Sequence, residues 1–489
     1  MKSENKKETK TIYRLIGLCL FVVFIGFNYS CNSNDSVNEK EDPPVERVPE
    51  FWLSDNIQNI KFTKHTNSIE SGVLSGYTTI TINSAQTYQE IDGFGFSLTG
   101  GSALHIHNMS ANARTELLTE LFDHSENNIG VSYLRVSIGA SDLDAEVFSY
   151  NDLPSGQTDP NMEHFSLSKD YDHLIPVLKE ILQIYPDLKI MGSPWSAPTW
   201  MKTNNQSVGG SLKSEYYETY AKYFVKYIQE MANEGIIIDA ITIQNEPLHD
   251  GNNPSMYMSA ADQGKFVKNN LGPAFASAAI NTKIIIYDHN ADRTDYPISI
   301  LNDTDAAQYI DGSAFHLYGG SIDDLSTLHN AHPDKNIYFT EQWIGAPGNF
   351  PEDLKWHVRE LIVGATRNWC RNVIEWNLAA DENQDPHTPG GCSMCLGALT
   401  IIGDNVVRNP AYYVIAHASK FVRPGSVRIN STSSSELPNV AFKNIDGSIV
   451  IVVLNDSGSE KIFNAAVDEF GFHSKLSAGA VGTYIFEAN

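Results

Sequence analysis

The period of the apolar positions changes twice along this chain. Between residues 51 and 90 the text is short and strand-like, and the alternation from Thr78 to Ile82 suits a half-exposed antiparallel strand. From Phe94 onward, short apolar runs alternate with long amphipathic stretches, the rhythm of repeated βα units. Eight runs read as strands: Phe94–Leu98, Tyr133–Ile138, Lys189–Gly192, Ala240–Asn245, Lys283–Asp288, Gly312–His316, Asn336–Thr340 and Val373–Trp376. Of the intervening helices, Ser214–Glu234 is clearest, with Tyr217, Tyr220, Phe224, Tyr227, Ile228 and Met231 at three- and four-residue steps before Gly235. Past residue 418 the period returns to two, with turns rich in Gly, Asn, Asp and Ser. The pattern predicts an α/β fold, a (β/α)8 TIM barrel over residues 91–417, with a β-sandwich over 418–489. Residues 51–90 are too few to fold alone and are expected to join that sandwich.

The N-terminus reads as an address. Lys2, Lys6, Lys7, Lys10 and Arg14 precede an apolar run from Leu15 to Phe27, too short to span ~30 Å of hydrocarbon but suited to an export signal over residues 1–30. Ser30-Cys31 resembles a bacterial lipoprotein cleavage site, where Cys31 would be acylated, although Asn28 departs from the usual Leu. An acidic, Pro-containing tether over 31–50 would follow. The expected location is outside the inner membrane, held to the outer membrane by the lipid alone, at the cell surface or on the periplasmic face. Of the other cysteines, Cys392-x-x-Cys395 lacks the second pair of a zinc site and is expected to form a local disulfide. A formal charge of −25 excludes nucleic acid as a partner over most of the surface. The sequence assigns no oligomeric state.

In a barrel, functional side chains gather at the C-terminal ends of the strands. Here those ends carry Arg135 and Asp142, then Trp195, then Asn245 and Glu246 in AITIQNEP, then Asp288, His316 and Tyr318, Glu341 in NIYFTE, and Glu375 with Trp376. A sugar ring has an apolar face and a rim of hydroxyls, so its site needs flat aromatics and hydrogen-bonding groups around them. Hydrolysis of a glycosidic bond further needs two carboxyl groups, for which Glu246 and Glu341 are the candidates. As the acid, Glu246 is expected to have its pKa raised by Glu341. His105, His107, His249, His289, His332 and His387 lack metal-ligand spacing and read as surface or loop residues. No metal and no organic cofactor is expected.

The motifs SPWSAPTWMKTN, YFVKYI, AITIQNEP, HLY, FTEQ, EWNLAADENQDPH and GSIVIVVLN together resemble glycoside hydrolase family 30, the group of glucosylceramidases and microbial β-1,6-glucanases. The resemblance implies that Glu246 is the acid/base and Glu341 the nucleophile of a retaining β-glycosidase. It also implies that Asn245 contacts the sugar 2-hydroxyl, that Asp142 and Trp195 bind the nonreducing edge and that Trp376 lines the ring. Arg135, His316 and Tyr318 would hold the carboxylates in place; Asp288 and Glu375, read from their strand ends alone, are further supporting candidates. Leu317 in HLY and the insert HTPGGCSMCLGALTI depart from the mammalian glucosylceramidase pattern, and this loop is more like the microbial β-glucanases. The expectation is an endo-β-1,6-glucanase acting on a β-linked glucan. The alternatives are a glucosylceramidase or exo-acting glucosidase, xylosidase or fucosidase of the same family, and a non-catalytic glycan-binding lipoprotein.

Overall fold

The computed structural model describes residues 48–66, 68–468 and 470–486. The export segment, Cys31 and residues 31–47 of the tether lie outside the described residues. Among the described residues no helix is long and apolar enough to cross a membrane.

Eight parallel strands close into a barrel in chain order: Gly93–Leu98, Tyr133–Ser137, Lys189–Ser193, Ala240–Thr242, Lys283–Asn290, Ile310–His316, Asn336–Glu341 and Cys370–Asn377. They are called barrel strands one to eight below. Every strand expected from the apolar runs is present, and the fourth is shorter than expected. Its ladder ends at Thr242, after which the Asn245 N–H donates to the Pro194 carbonyl at 2.8 Å and the Glu246 N–H to the Asp288 carbonyl at 2.9 Å. Glu246 sits at φ +46°, a conformation that carries strain of about 1–3 kcal/mol and persists where surrounding bonds over-determine it. The helix expected over 214–234 is a 3-10 turn at Ser214–Tyr216 followed by an α-helix at Tyr217–Asn233, and Gly235 at φ +81° ends it.

The remaining large sheet has ten strands, in the order Ile60–His65, Glu50–Asp55, Val481–Phe486, Ile449–Leu454, Asn439–Lys443, Val427–Ser431, Thr79–Glu90, Lys461–Val467, Phe470–Leu476, Ile69–Ser71. Residues 50–90 and the C-terminal segment thus share one sheet. The sheet folds over itself: Tyr484, near one end of the order, stacks on Phe51 at 4.7 Å and also meets Phe472, near the other end, at 5.1 Å. Strand alternation divides Glu50–Asp55 between two cores. Phe51 and Leu53 enter the sandwich core, while Trp52 enters the large core shared with the barrel. The helix Pro410–Ser419 lies between them, and its buried His417 bonds Thr483 Oγ1 at 2.9 Å and Ser54 Oγ at 2.8 Å.

Candidate active site

Period-two alternation inside the barrel builds the site. One layer of inward side chains is apolar or phenolic: Tyr133, Met191, Ala240, Ile285, Ala314, Tyr338 and Ile374. Two residues further on, the same faces of strands two, three, four, six, seven and eight present Arg135, Ser193, Thr242, His316, Thr340 and Trp376. Strand five breaks the rule through a bulge. Tyr287 and Asp288 have φ of 72° and 70°, and the register slips so that Ala314 pairs with Tyr287 and Phe315 with His289. The extra residue re-aims the strand, and Asp288 takes the inward position.

Arg135, wholly buried, is the hub. Its Nη1 donates to Glu341 Oε2 at 2.6 Å, its Nη2 to Asp288 Oδ2 at 2.8 Å and Asn245 Oδ1 at 2.7 Å, and its Nε to Ser193 Oγ at 3.1 Å. Thr242 Oγ1 lies 2.7 Å from both Ser193 Oγ and Asp288 Oδ2, and Thr340 Oγ1 donates to Asp288 Oδ1 at 2.7 Å. Burial pushes the Asp288 carboxyl up, but Arg135 and His316 outweigh it and hold the group well below the usual carboxylate range.

His316 is set between acceptors, with Nε2 3.1 Å from Asp288 Oδ1 and Nδ1 3.3 Å from Glu246 Oε1. Facing carboxylates on both sides, the ring serves them best as an imidazolium. Burial pushes its pKa down, yet Glu341, Asp288 and Glu246 outweigh this and raise it to about 9. Tyr318 donates its hydroxyl to Glu341 Oε1 at 3.0 Å.

A carboxylate oxygen from Glu246, one from Glu341 and a ring nitrogen of His316 all lie within 4.8 Å of one another. The sequence-based expectation that Glu341 raises the Glu246 pKa is reversed. Burial pushes Glu246 up, but the hydrogen bond and charge of His316, with His289 and His249 behind it, hold it below its ordinary value. Glu341 is the raised member, because burial and the charge of Glu246 exceed the pull of His316 and Arg135. The same three residues have the donor types of a metal site, but a guanidinium and an imidazolium already face these carboxylates, so a divalent cation would meet two like charges there.

These groups line a cavity of about 320 Å³, within the range of small-ligand sites. Barrel strand eight and the loops after strands two, three and eight supply Asp142, Trp195, Trp376, Cys392 and Cys395. The two indoles stack at 5.4 Å, and the Arg135 guanidinium lies 4.8 Å from the Trp195 ring. Burial, then the charge of Glu341, lifts Asp142 to about 7. The opposite wall, from strand five and the loop after strand four, carries His249, Asn252, His289 and Asn290, while Trp343 follows Glu341.

Glu246, Glu341, Asp142, Trp195, Tyr318 and Trp376 all line the cavity, and Arg135, Asn245, Asp288 and His316 form the network beneath it. Glu375 does not belong to the site. It neighbours the inward Trp376 and so faces outward, bonding His357 Nδ1 at 2.7 Å between strand and helix. His249 is the exposed loop residue expected, although it lines the cavity, while His289 corrects the sequence reading in the other direction. His289, buried on strand five, puts Nε2 3.9 Å from Glu246 Oε1, and burial lowers its pKa to about 4. Metal spacing alone does not reveal His289, although it directly follows a strand-end Asp. Thr242 and Thr340 carry no sequence signal because Thr in a β-run reads as a strand former, and Ser193 is a single small residue at a strand end. Cys392 and Cys395 form the expected disulfide.

Comparison with known proteins bears on this site. A profile of the glycosyl hydrolase family 30 TIM-barrel domain matches residues 91–422, and one of the family 30 beta sandwich domain matches residues 425–484. The chain is similar to an endo-1,6-beta-D-glucanase of Neurospora crassa, 38% identical over 392 residues that cover 76% of this chain and 80% of that one. It is also similar to a putative glucosylceramidase of Caenorhabditis elegans, 32% identical over 77% of this chain and 76% of that one. Among solved structures, the endo-beta1,6-glucanase BT3312 superposes with a TM-score of 0.84 at 34% identity, covering 90% of this chain and 100% of that one.

Proposed function

The chain belongs to glycosyl hydrolase family 30, and from that premise we propose that it is an endo-acting β-1,6-glucanase that retains anomeric configuration. It is a glycoside hydrolase by family. The observation that supports the mechanism is that one carboxylate oxygen of Glu246 lies within 4.8 Å of one of Glu341, the close-set carboxyl pair that a retaining enzyme uses.

Glu341, held by Arg135 and Tyr318, attacks the anomeric carbon, and Glu246 protonates the departing oxygen. The resting proton is on His316, whose Nδ1 lies 3.3 Å from Glu246 Oε1. Transfer along that bond converts an ion pair into a neutral imidazole and a carboxylic acid with no change in net charge. Glu246 then deprotonates the water that releases the glycosyl-enzyme. The stacked indoles and Asp142 receive the sugar being cleaved. The leaving group passes on the Glu246 side, where His249, Asn252, His289 and Asn290 offer hydrogen bonds that suit another sugar better than a lipid tail. The names of the two glucanases above support the same linkage.

The test is a screen of purified protein on linear β-1,6-, β-1,3- and β-1,4-glucans, xylan and glucosylceramide. A ladder of oligosaccharides from the β-1,6-glucan is expected. Release of monosaccharide alone, or preference for glucosylceramide, would refute the reading.

For location, we infer export and acylation at Cys31 from the basic and apolar N-terminus that precedes it. Cys31→Ser should then move the protein out of the membrane fraction, and unchanged fractionation would overturn this.

A further inference from the structure

The loop that closes the cavity after barrel strand eight is anchored at both ends. At one end the Thr388 N–H donates to the Asp142 carbonyl at 2.9 Å and Asn253 Nδ2 donates to the Pro389 carbonyl at 2.9 Å. At the other, Gly345 pairs with Cys395 and Ile344 with Leu396 in a short antiparallel ladder, and the Ala346 N–H donates to the Met394 carbonyl at 2.8 Å. That ladder begins three residues after Glu341, so it ties the loop to the strand that carries the nucleophile. Between the anchors lies Cys392, whose backbone N–H donates to Asp142 Oδ2 at 3.2 Å. Among the described residues, no other donor from elsewhere in the chain reaches the Asp142 carboxylate.

Cys392 has no ladder partner of its own. Its disulfide to Cys395 joins the Asp142 donor to the one cysteine of the pair that the ladder holds. Ser393 between them is exposed, as is the Met394 side chain, so these two residues add little packing to hold the turn. The two sulfur residues also complete an apolar cluster with Leu143, Trp195 and Trp376, the wall on which the sugar would stack.

We propose that the Cys392–Cys395 disulfide is a positioning element of the sugar site, holding the Cys392 amide on Asp142 so that this carboxylate is pre-set for substrate hydroxyls. The inference rests on the glycosidase reading and extends it: sugar affinity at this wall depends on the redox state of the loop. Reduction by dithiothreitol breaks the S–S bond, delivers two electrons and two protons to give two thiols, and converts the reagent to its cyclic disulfide.

The experiment compares oxidised protein, protein reduced under native conditions and the Cys392→Ser/Cys395→Ser variant. Each is made with Asp142 intact and as Asp142→Asn, with the release of two thiols on reduction verified by titration. Loss of one hydrogen bond to a buried carboxylate predicts a fall in kcat/KM on linear β-1,6-glucan of about tenfold, carried mainly by KM. In the Asp142→Asn background the same change should cost less than about twofold, because coupled residues are non-additive. A loop that served only global stability would instead lower the melting temperature and act equally in both backgrounds. An unchanged kcat/KM after verified reduction, or an equal loss in both backgrounds, overturns the proposal. Calorimetric affinity for a β-1,6-linked gluco-oligosaccharide repeats the comparison without turnover. Binding that weakens on reduction in a protein that cleaves no β-1,6-glucan would overturn the proposed activity and leave this inference standing.

Discussion

Removing the guanidinium at the centre of the barrel tests the electrostatic logic most severely. Arg135 is wholly buried and pairs with Asp288 at 2.8 Å and Glu341 at 2.6 Å. Arg135→Met keeps most of the side-chain volume but leaves Asp288, itself wholly buried, without its main counter-charge, and breaking such a pair costs about 3–5 kcal/mol. The penalty resides on the carboxylate left behind. Arg135→Met/Asp288→Asn should therefore recover a large part of the lost stability while remaining inactive. Arg135→Lys separates the two roles: it keeps a positive charge, but a point charge cannot reach Glu341, Asp288, Asn245 and Ser193 together as the planar fork does. For that variant kcat/KM should fall by about 10–100-fold, the loss of one to two charge-assisted bonds, with a smaller loss of stability. Guanidinium denaturation of the four proteins, with glucan turnover measured in parallel, provides the readout. An Arg135→Met protein within about 1 kcal/mol of wild type, or a double variant no more stable than the single, would refute the account.

Two further perturbations address the protons. Glu246→Gln should lower turnover of glucan by about 10²–10⁴-fold but spare the first step on an aryl glucoside with a good leaving group, which needs no acid. Equal losses on both substrates would contradict the acid role. His316, raised from 6.5 to about 9, contributes stability that is fully present below pH 6.5 and lost as pH rises through about 9. The alkaline limb of kcat/KM should fall in the same window, and a limb unmoved in His316→Gln would remove His316 as its source.

The apolar runs made the barrel legible, because eight short β-rich segments separated by amphipathic helices leave few other solutions. Strand ends then located Glu246, Glu341, Arg135 and His316. Strand parity, available from the same text, would have separated Glu375 from Trp376, since adjacent strand residues face opposite sides. What sequence did not carry was the bulge at Tyr287 and Asp288, a backbone event with no residue signature beyond its outcome. Nor did it carry the location of the resting proton. Two facing carboxylates alone argue for a raised Glu246, and only the placement of His316 between Glu246 and Asp288 reverses the direction. The closing loop was legible as a disulfide but not as a partner of Asp142, because the hydrogen bond from Cys392 spans 250 residues.

Double displacement by Glu246 and Glu341 on a β-linked glucan, as proposed above, fixes which anomer is released first. Proton NMR during the first minutes of hydrolysis of linear β-1,6-glucan, before the anomers equilibrate, tests it most directly. The newly formed reducing ends should appear first as the β anomer and convert to α only with time. Initial appearance of the α anomer would contradict it.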